Sequence, residues 1–475
     1  MSRIKMTTLL KNDLDIPVST AQDLLAYLKS GGRPRERWGV GAEMEKLVVD
    51  VHTGEAASFA RIETLLERLA AKENWRRVYE QDRLIALQGR DSSVTLEPGG
   101  QLELSGALCP DLHCCHADFC RYVDGIVSEG ESLDLLFLGL GVQPFTPPAA
   151  IDWLPKSRYG IMRSYMLRTG DMGQRMMKQS AGLQVNLDFS DEDDCIDKLR
   201  VAQWLAPLFY ALFANSPIMD GRPSGFLSTR GEIWSRTDPD RTGLLLQLFR
   251  DGASLATYVE YALDVPMYFI ARQGRLFDMT TERFSFRRYL AEGFAGHRAT
   301  LADWDQHLST LFPEVRLRPQ IELRSADSLP PHLTLSVAAL AKGLLYDEEA
   351  RRTVASLFHG VDTEELLRIY RQSWRFGLKT VVGRGTLRDL ALEALVIARE
   401  GLRRQRRNPD QVDETEFLED IAEIAESGVT LAERLLSRWQ GSPADKLALL
   451  KEHCAFTASR NRMPAARPAP GDRTA

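Results

Sequence analysis

Two stretches of strict alternation place carboxylates where a β-strand has no structural need of them. In Gln101-Leu102-Glu103-Leu104-Ser105 an extended chain turns Gln101, Glu103 and Ser105 to one face and packs Leu102 and Leu104 on the other. Gly41-Ala42-Glu43-Met44-Glu45-Lys46 repeats the arrangement with Glu43 and Glu45. Between the apolar run Ser93–Leu96 and the first stretch stands Glu97-Pro98-Gly99-Gly100, the composition of a hairpin turn, which puts Glu97 at the bend. Period-two alternation calls for sheet with one packed face. Four carboxylates on neighbouring strands repel one another unless something cationic lies between them.

Each pair alone has an ordinary reading, since exposed glutamates in strands are common. The pattern recurs, however. Gln184, Asn186 and Asp188 share a face in Leu183–Phe189, and Glu322 and Arg324 share one in Gln320–Arg324. Four separate segments that present carboxylates, carboxamides and an arginine predict a polar cleft built over strands. Hard cations such as Mg²⁺ prefer these oxygen donors and commonly arrive with phosphates.

The element order is neither regular β-α-β alternation nor a run of hairpins, so the predicted class is α+β, with a mixed or mainly antiparallel sheet backed by helices. Ser19-Thr20-Ala21-Gln22 reads as a capping box opening a first helix that Gly31-Gly32 closes. Further helices are expected near Ile62–Leu69, His116–Ser128, Arg158–Met177 and Asp194–Asn215, with strands at Leu135–Leu140 and Leu183–Phe189. From Leu333 onward helical spacing prevails. Leu387, Leu390, Ala391, Ala394, Leu395, Ala398 and Leu402 form one apolar stripe. The expected organisation is a catalytic α+β region over 1–332, a helical portion over 333–458 packed on it, and a disordered tail over 459–475 rich in Arg, Pro, Ala and Gly.

A net charge of −6 over 475 residues gives no general attraction to nucleic acid or anionic membrane, and small-molecule chemistry is favoured. No run approaches the ~20 apolar residues of a bilayer span. The charged start Met1–Asp13 lacks a secretory apolar region, so a cytoplasmic location is expected. Gly39-Val40-Gly41-Ala42-Glu43-Met44 lacks the third glycine of a dinucleotide fingerprint, and no P-loop occurs. Cys109, His113, Cys114, Cys115, His116 and Cys120 invite a zinc reading. Residues 113 to 116 of one helix would point around most of its circumference, which argues against a structural site. Arg403-Arg404-Gln405-Arg406-Arg407 reads as cations at a helix C-terminus, and Met162–Met177 as helical packing.

The string Glu97–Gly106, then Arg158–Met166, Gln184–Phe189, Leu212–Pro217, Gly225–Arg230, Thr237–Gly243, Tyr261–Tyr268, Phe312–Arg316 and Gly343–Asp347, in that order, resembles the plant and proteobacterial type of glutamate–cysteine ligase from about Trp38 to about residue 440. The resemblance implies a glutamine-synthetase-like carboxylate–amine ligase fold, with ATP and Mg²⁺ held on an antiparallel sheet. The implied partners are the small molecules L-glutamate, L-cysteine and ATP, with no nucleic acid and no membrane, in a monomer or homodimer. It further implies ATP-dependent joining of the glutamate γ-carboxylate to the amino group of cysteine through γ-glutamyl phosphate, the first step of glutathione biosynthesis. Plant members carry redox-switch cysteines, one of them shortly after the Ser-Gly-Ala motif, with which the cysteine cluster here is out of register.

Under that resemblance Glu43, Glu45, Glu97, Glu103 and Glu322 form the metal-ligand pool. Arg324, Arg230 and Arg241 are the catalytic candidates, because guanidinium groups bind phosphoryl and carboxylate oxyanions in a fork. Arg163, Gln184 and Asn186 are the substrate-binding candidates. Ser325–His332 stands where plant-type enzymes carry a glycine-rich turn with a tryptophan, which bears on the acceptor pocket. The rival readings are a γ-glutamyl ligase for another amine or for ergothioneine synthesis, a guanidino kinase, and a nucleotide or thiol sensor without turnover.

Overall fold

A computed structural model describes residues 14–406 and 412–457, so the readings made on the N-terminal segment, on Arg407 and on the 459–475 tail lie outside the described residues. The architecture is α+β around one nine-stranded sheet, antiparallel at each of its pairings. Its strands are β1 (Val40–Asp50), β2 (Arg76–Glu80), β3 (Arg83–Gln88), β4 (Ser93–Leu96), β5 (Leu102–Ser105), β6 (Leu135–Leu138), β7 (Gly182–Leu187), β8 (Val315–Leu317) and β9 (Ile321–Asp327). The spatial order is β8-β9-β7-β1-β5-β4-β3-β2, and β6 pairs with the second half of β1. The long central strand β1 thus joins the hairpin of β4 and β5 to strands more than 130 residues away.

Alternation does what the sequence requires of it. Met44, Leu102 and Leu104 enter the main hydrophobic core, where helices α2 (Phe59–Glu73) and α3 (Leu112–Glu131) contribute Ile62, Leu65, Leu66, Phe119 and Val123. Helices α4 (Ser157–Thr169) and α5 (Gly173–Gln179) lie over the polar face, and α6 (Glu192–Leu212) packs against β8 and β9. The C-terminal helices share this core through Leu340, Leu344, Leu395 and Ala398, the last two on the helix Leu387–Gln405.

Local chemistry corrects the expected boundaries. Helix α1 (Ala21–Lys29) is capped by Thr20, whose side chain accepts from Asp23 N while Asp23 returns a bond to the Thr20 backbone, one residue later than the Ser19/Gln22 box. The single helix expected over Arg158–Met177 is broken into α4 and α5 at Gly170. A Cβ there would stand 2.3 Å from the carbonyl oxygens of Arg236 and Thr237. Gly99 similarly lets the β4–β5 turn lie against Lys178, since a Cβ would come within 2.3 Å of that carbonyl, and Gly100 takes φ +84°.

Candidate active site

Sheet register assembles the polar face. Glu43 stands opposite Ser105 on β5 and Gln184 on β7, and Glu45 stands opposite Glu103. Asn186 faces Glu322 across β7 and β9, and Glu322 faces Arg316 across β9 and β8. With the Glu97 turn, Glu43, Glu45, Glu103, Ser105, Gln184, Arg316 and Arg324 floor a cleft, while Asn186 and Glu322 do not line it and act as the partners of Glu43 and Arg316. Its walls are Arg158, Tyr159 and Met162 from α4, Met176 and Met177 from α5, Trp234 from α7 (Thr229–Ser235), and Ser309 and Phe312.

One end of the cleft is acidic. Burial, followed by repulsion from Glu322 and Glu103, pushes Glu43 well above the carboxylate range. Burial and the charge of Glu97 raise Glu45 to about 7, and burial with Glu97 and Glu45 raises Glu103 to about 7. Neutral donors hold these groups in place. Gly182 N and Gln184 Nε2 donate to Glu45 at 2.5 and 2.8 Å, Asn186 Nδ2 donates to Glu43 at 3.1 Å, and the Thr95 hydroxyl donates to Glu103. The donor set is oxygen-only, anionic and mutually repulsive, which fits a hard divalent cation.

The other end is basic. Arg316 grips Glu322 in a fork, Nε to Oε2 at 2.9 Å and Nη2 to Oε1 at 2.9 Å. Arg324 bonds the same carboxylate and donates from Nη1 to Gln184 Oε1 at 2.8 Å. Burial alone would raise Glu322, but Arg316 and Arg324 outweigh it and hold the carboxyl below its ordinary value. Arg318, fixed by both oxygens of Asp305 at 3.0 Å, completes the cluster. Unlike Glu43, Glu45, Glu97 and Glu103, Glu322 is committed to guanidinium groups, and serving a cation would require releasing Arg324.

Three arginine expectations fare differently. Arg163 is exposed and stacks on Trp153 at 5.0 Å, because it lies on the outer side of α4, while Arg158, Tyr159 and Met162 face the cleft. Arg241 is fully buried away from the cleft. It bonds Asp238 at 2.5 Å and the carbonyls of Thr310 and Pro266 at 3.2 and 2.7 Å, with its guanidinium 3.9 Å from the Tyr268 ring, so its role is to hold loops together. Arg230 is buried behind the acidic end, where its charge acts on Glu45. Among the described residues its Nε and Nη1 have no hydrogen-bond partner. Asp188 leaves the polar face and accepts from Gly39 N at 2.8 Å, fixing the entry to β1.

The distant Asn215-Ser216 and Ser228 segments meet at Asp327, which accepts from Asn215 N, Ser216 Oγ and Ser228 Oγ at 2.8, 2.7 and 2.9 Å. This node fills the place where the departure after Arg324 occurs, and it anchors the approach to α7, which carries Arg230. Sequence reasoning passed over Arg316, Arg318, Arg158, Trp234 and Phe312. Arg316 and Glu322 are separated by a spacing that a tight antiparallel pair brings face to face. The Arg158-Tyr159 and Met162 positions share one helical face, which was the available signal.

An acidic pole facing an arginine cluster on an antiparallel sheet defines a site for small anionic substrates handled together with cations. The profile of the glutamate–cysteine ligase family 2 matches residues 39–453. Glutamate–cysteine ligase B, chloroplastic, of Oryza sativa subsp. japonica is 40% identical over 430 residues, covering 89% of this chain and 85% of the relative. The chloroplastic glutamate–cysteine ligase of Brassica juncea is 40% identical over 425 residues, covering 89% and 81%. The solved glutamate–cysteine ligase of Francisella tularensis in complex with AMP superposes with a TM-score of 0.55 at 12% identity, covering 91% of this chain and 90% of that one, which shows a shared fold. The chain belongs to the glutamate–cysteine ligase family.

Proposed function

We propose that the protein is an ATP-dependent ligase that joins the γ-carboxylate of glutamate to the amino group of cysteine. A carboxylate resists attack by an amine because it is anionic and oxide is a poor leaving group. Transfer of the ATP γ-phosphoryl group to that carboxylate gives γ-glutamyl phosphate and ADP. The cysteine nitrogen then displaces phosphate and leaves γ-glutamylcysteine. The observation that carries this reading is the polarity of one cleft, with Glu43, Glu45, Glu97 and Glu103 at one end and Arg316, Arg318 and Arg324 at the other.

The residues divide the work by charge. Arg316, Arg318, Arg324 and Arg158 suit the carboxylate and phosphoryl oxygens, and existing bonds to Glu322 and Asp305 fix the first three before substrate enters. Glu43, Glu45, Glu97 and Glu103 would hold Mg²⁺, which neutralises charge on the phosphates. Gln184 ties the two poles by donating to Glu45 and accepting from Arg324. Trp234 and Phe312 flank Arg324 at 5.6 and 5.8 Å and limit water near the acyl phosphate. Such a reaction suits the cytoplasm, where ATP and reduced cysteine are available.

The test is phosphate release from ATP and Mg²⁺ with glutamate, with and without cysteine, the product identified by mass. Cysteine-dependent γ-glutamylcysteine supports the reading. Turnover only with 2-aminobutyrate or another amine would redirect the acceptor assignment, and failure of every acceptor to support turnover would overturn the ligase reading in favour of a sensor.

A further inference from the structure

Outside the cleft, the segment preceding α3 and the first turns of that helix bring together sulfur and oxygen donors that the ligase chemistry does not use. Cys109 is pinned to the start of β1 by reciprocal backbone bonds, Val40 N to Cys109 O at 2.7 Å and Cys109 N to Val40 O at 2.9 Å. Asp111 caps α3 by accepting from Cys114 N at 2.8 Å, which fixes Cys114 in the first turn. Asp118 follows four residues later on the same helical face. The result is a cluster in which Cys114 Sγ lies 2.6 Å from Cys109 Sγ and Cys109 Sγ lies 4.0 Å from Asp118 Oδ2. One donor atom from each of Cys109, Cys114 and Asp118 falls within 4.8 Å of the others. The Cys115 thiol, by contrast, donates to Val40 O at 3.6 Å.

We propose that Cys109, Cys114 and Asp118 bind one thiophilic divalent cation of the Zn²⁺ or Cd²⁺ class, at a site separate from the carboxylate cleft. The sequence argument against zinc counted His113 and His116, which point elsewhere: the His113 ring reaches Asp413 O at 3.1 Å, and His116 approaches Cys120 at 3.4 Å. The convergent set instead draws Asp118, one turn along, and Cys109 from outside the helix.

A simple dithiol pair does not account for the carboxylate. Asp118 lies against the paired sulfurs, where its negative charge opposes the thiolate needed for disulfide formation. A cation placed among the three donors reverses the sign of each interaction. Zinc–thiolate bonds of ~2.3 Å space two sulfurs at roughly 3.8 Å, so binding requires the Cys114 sulfur to move outward from its 2.6 Å contact with Cys109. Binding is a proton exchange with no redox step: each coordinating thiol gives its proton to solvent and its lone pair to the metal. The ion would tie the N-terminus of α3 to the strand that carries Glu43.

The test uses the full chain, stripped with chelator, reduced with a phosphine and held in excess Mg²⁺ to satisfy the carboxylate cleft, then titrated with Cd²⁺. Expected are one equivalent of bound cadmium, an ultraviolet thiolate-to-metal charge-transfer band and a higher thermal midpoint. The double variant Cys109→Ser/Cys114→Ser loses the band, while Cys195→Ser keeps it. Should the double variant not fold, Asp118→Asn serves, with the band retained and affinity weakened roughly tenfold. The proposal fails if no thiolate band forms, if the band survives in Cys109→Ser/Cys114→Ser, or if Asp118→Asn binds as tightly as the parent chain. Protein isolated without reductant that is two hydrogens lighter, with Cys109 and Cys114 cross-linked and no cadmium uptake after reduction, also overturns it in favour of a disulfide pair.

Discussion

Arg316 and Glu322 face each other across adjacent antiparallel strands and form a two-pronged ion pair at 2.9 Å on each prong, with Glu322 shared by Arg324. The pair fixes the arginine end of the cleft, because a guanidinium held on two bonds cannot swing away when an anion enters. The two arginines together offset the buried carboxylate and leave surplus positive charge directed at the substrate.

Arg316→Lys keeps the charge and loses the fork. The expected result is a soluble, folded protein whose kcat/KM falls roughly 100-fold, with the loss mainly in kcat. Glu322→Ala, by contrast, strands two buried cations and costs about 3–5 kcal/mol of stability, read in urea unfolding. If Arg316→Lys retains wild-type turnover, the fork has no part in catalysis.

Glu103→Gln separates metal binding from folding. Glu103 has its pKa raised to about 7 by burial and by Glu97 and Glu45, so its charged form is unfavourable in metal-free protein. A carboxyl whose folded pKa exceeds its unfolded value contributes stability that is present below the unfolded value near 4.5 and is lost as pH rises to about 7. Wild type should therefore lose stability relative to Glu103→Gln over that window, by on the order of 1–3 kcal/mol in chelator. The comparison must be a difference between the two proteins. His307 and His453, held neutral by burial at about 3 and 4, destabilise the fold as pH falls below 6.5 and oppose the trend. With saturating Mg²⁺ the order reverses, and the variant needs at least ~10-fold more Mg²⁺ for half-maximal turnover. Equal Mg²⁺ dependence would remove Glu103 from the metal site.

Period-two alternation made the sheet legible, and with it Glu43, Glu45, Glu103, Gln184 and Glu322, since a strand face is a local property. The hairpin turn placed Glu97 correctly for the same reason. What local pattern could not give was the partner of each charge. Arg241 and Arg230 look equivalent in sequence, yet one is spent on Asp238 and two carbonyls while the other lies beside the acidic pole. Arg316 escaped notice because its meaning depends on register across β8 and β9. Arg163 and Arg158 are the same residue type five positions apart on α4, and only Arg158 lies on the face turned to the cleft.

Arg163 and Arg241 give opposite outcomes on substitution. Arg163→Ala removes an exposed guanidinium that stacks on Trp153, so kcat/KM should stay within about threefold of wild type and stability within ~0.5 kcal/mol. Arg241→Ala leaves Asp238 charged and buried without its partner, with an expected loss of about 3–5 kcal/mol. Arg241→Lys should not restore it, because an ammonium cannot reach Asp238, Thr310 and Pro266 together. Thermal denaturation and turnover of the three proteins decide the matter. A stable but inactive Arg241→Lys would return Arg241 to the catalytic set.

Gly182 and Arg230 are in direct contact, and the contact explains why β7 begins with a residue that has no side chain. A Cβ on Gly182 would stand 2.6 Å from Arg230 Nη2 and 2.8 Å from its Cζ, too close for either to keep its place. The Gly182 amide simultaneously donates to Glu45 at 2.5 Å, so strand and arginine approach the same carboxylate from two sides. Gly182→Ala should push the guanidinium away, leave the backbone bond intact and relieve Glu45 of its largest cationic influence. Its fold has little reason to fail, since the Arg230 side chain can yield. The expected result is near-native stability with turnover reduced at least ~10-fold and a weaker apparent affinity for Mg²⁺. Arg230→Ala should show the same kinetic defect, and combining the two should add nothing, because both remove one interaction. Additive losses in the double variant would mean that Gly182 acts through Glu45 alone and that Arg230 contributes elsewhere.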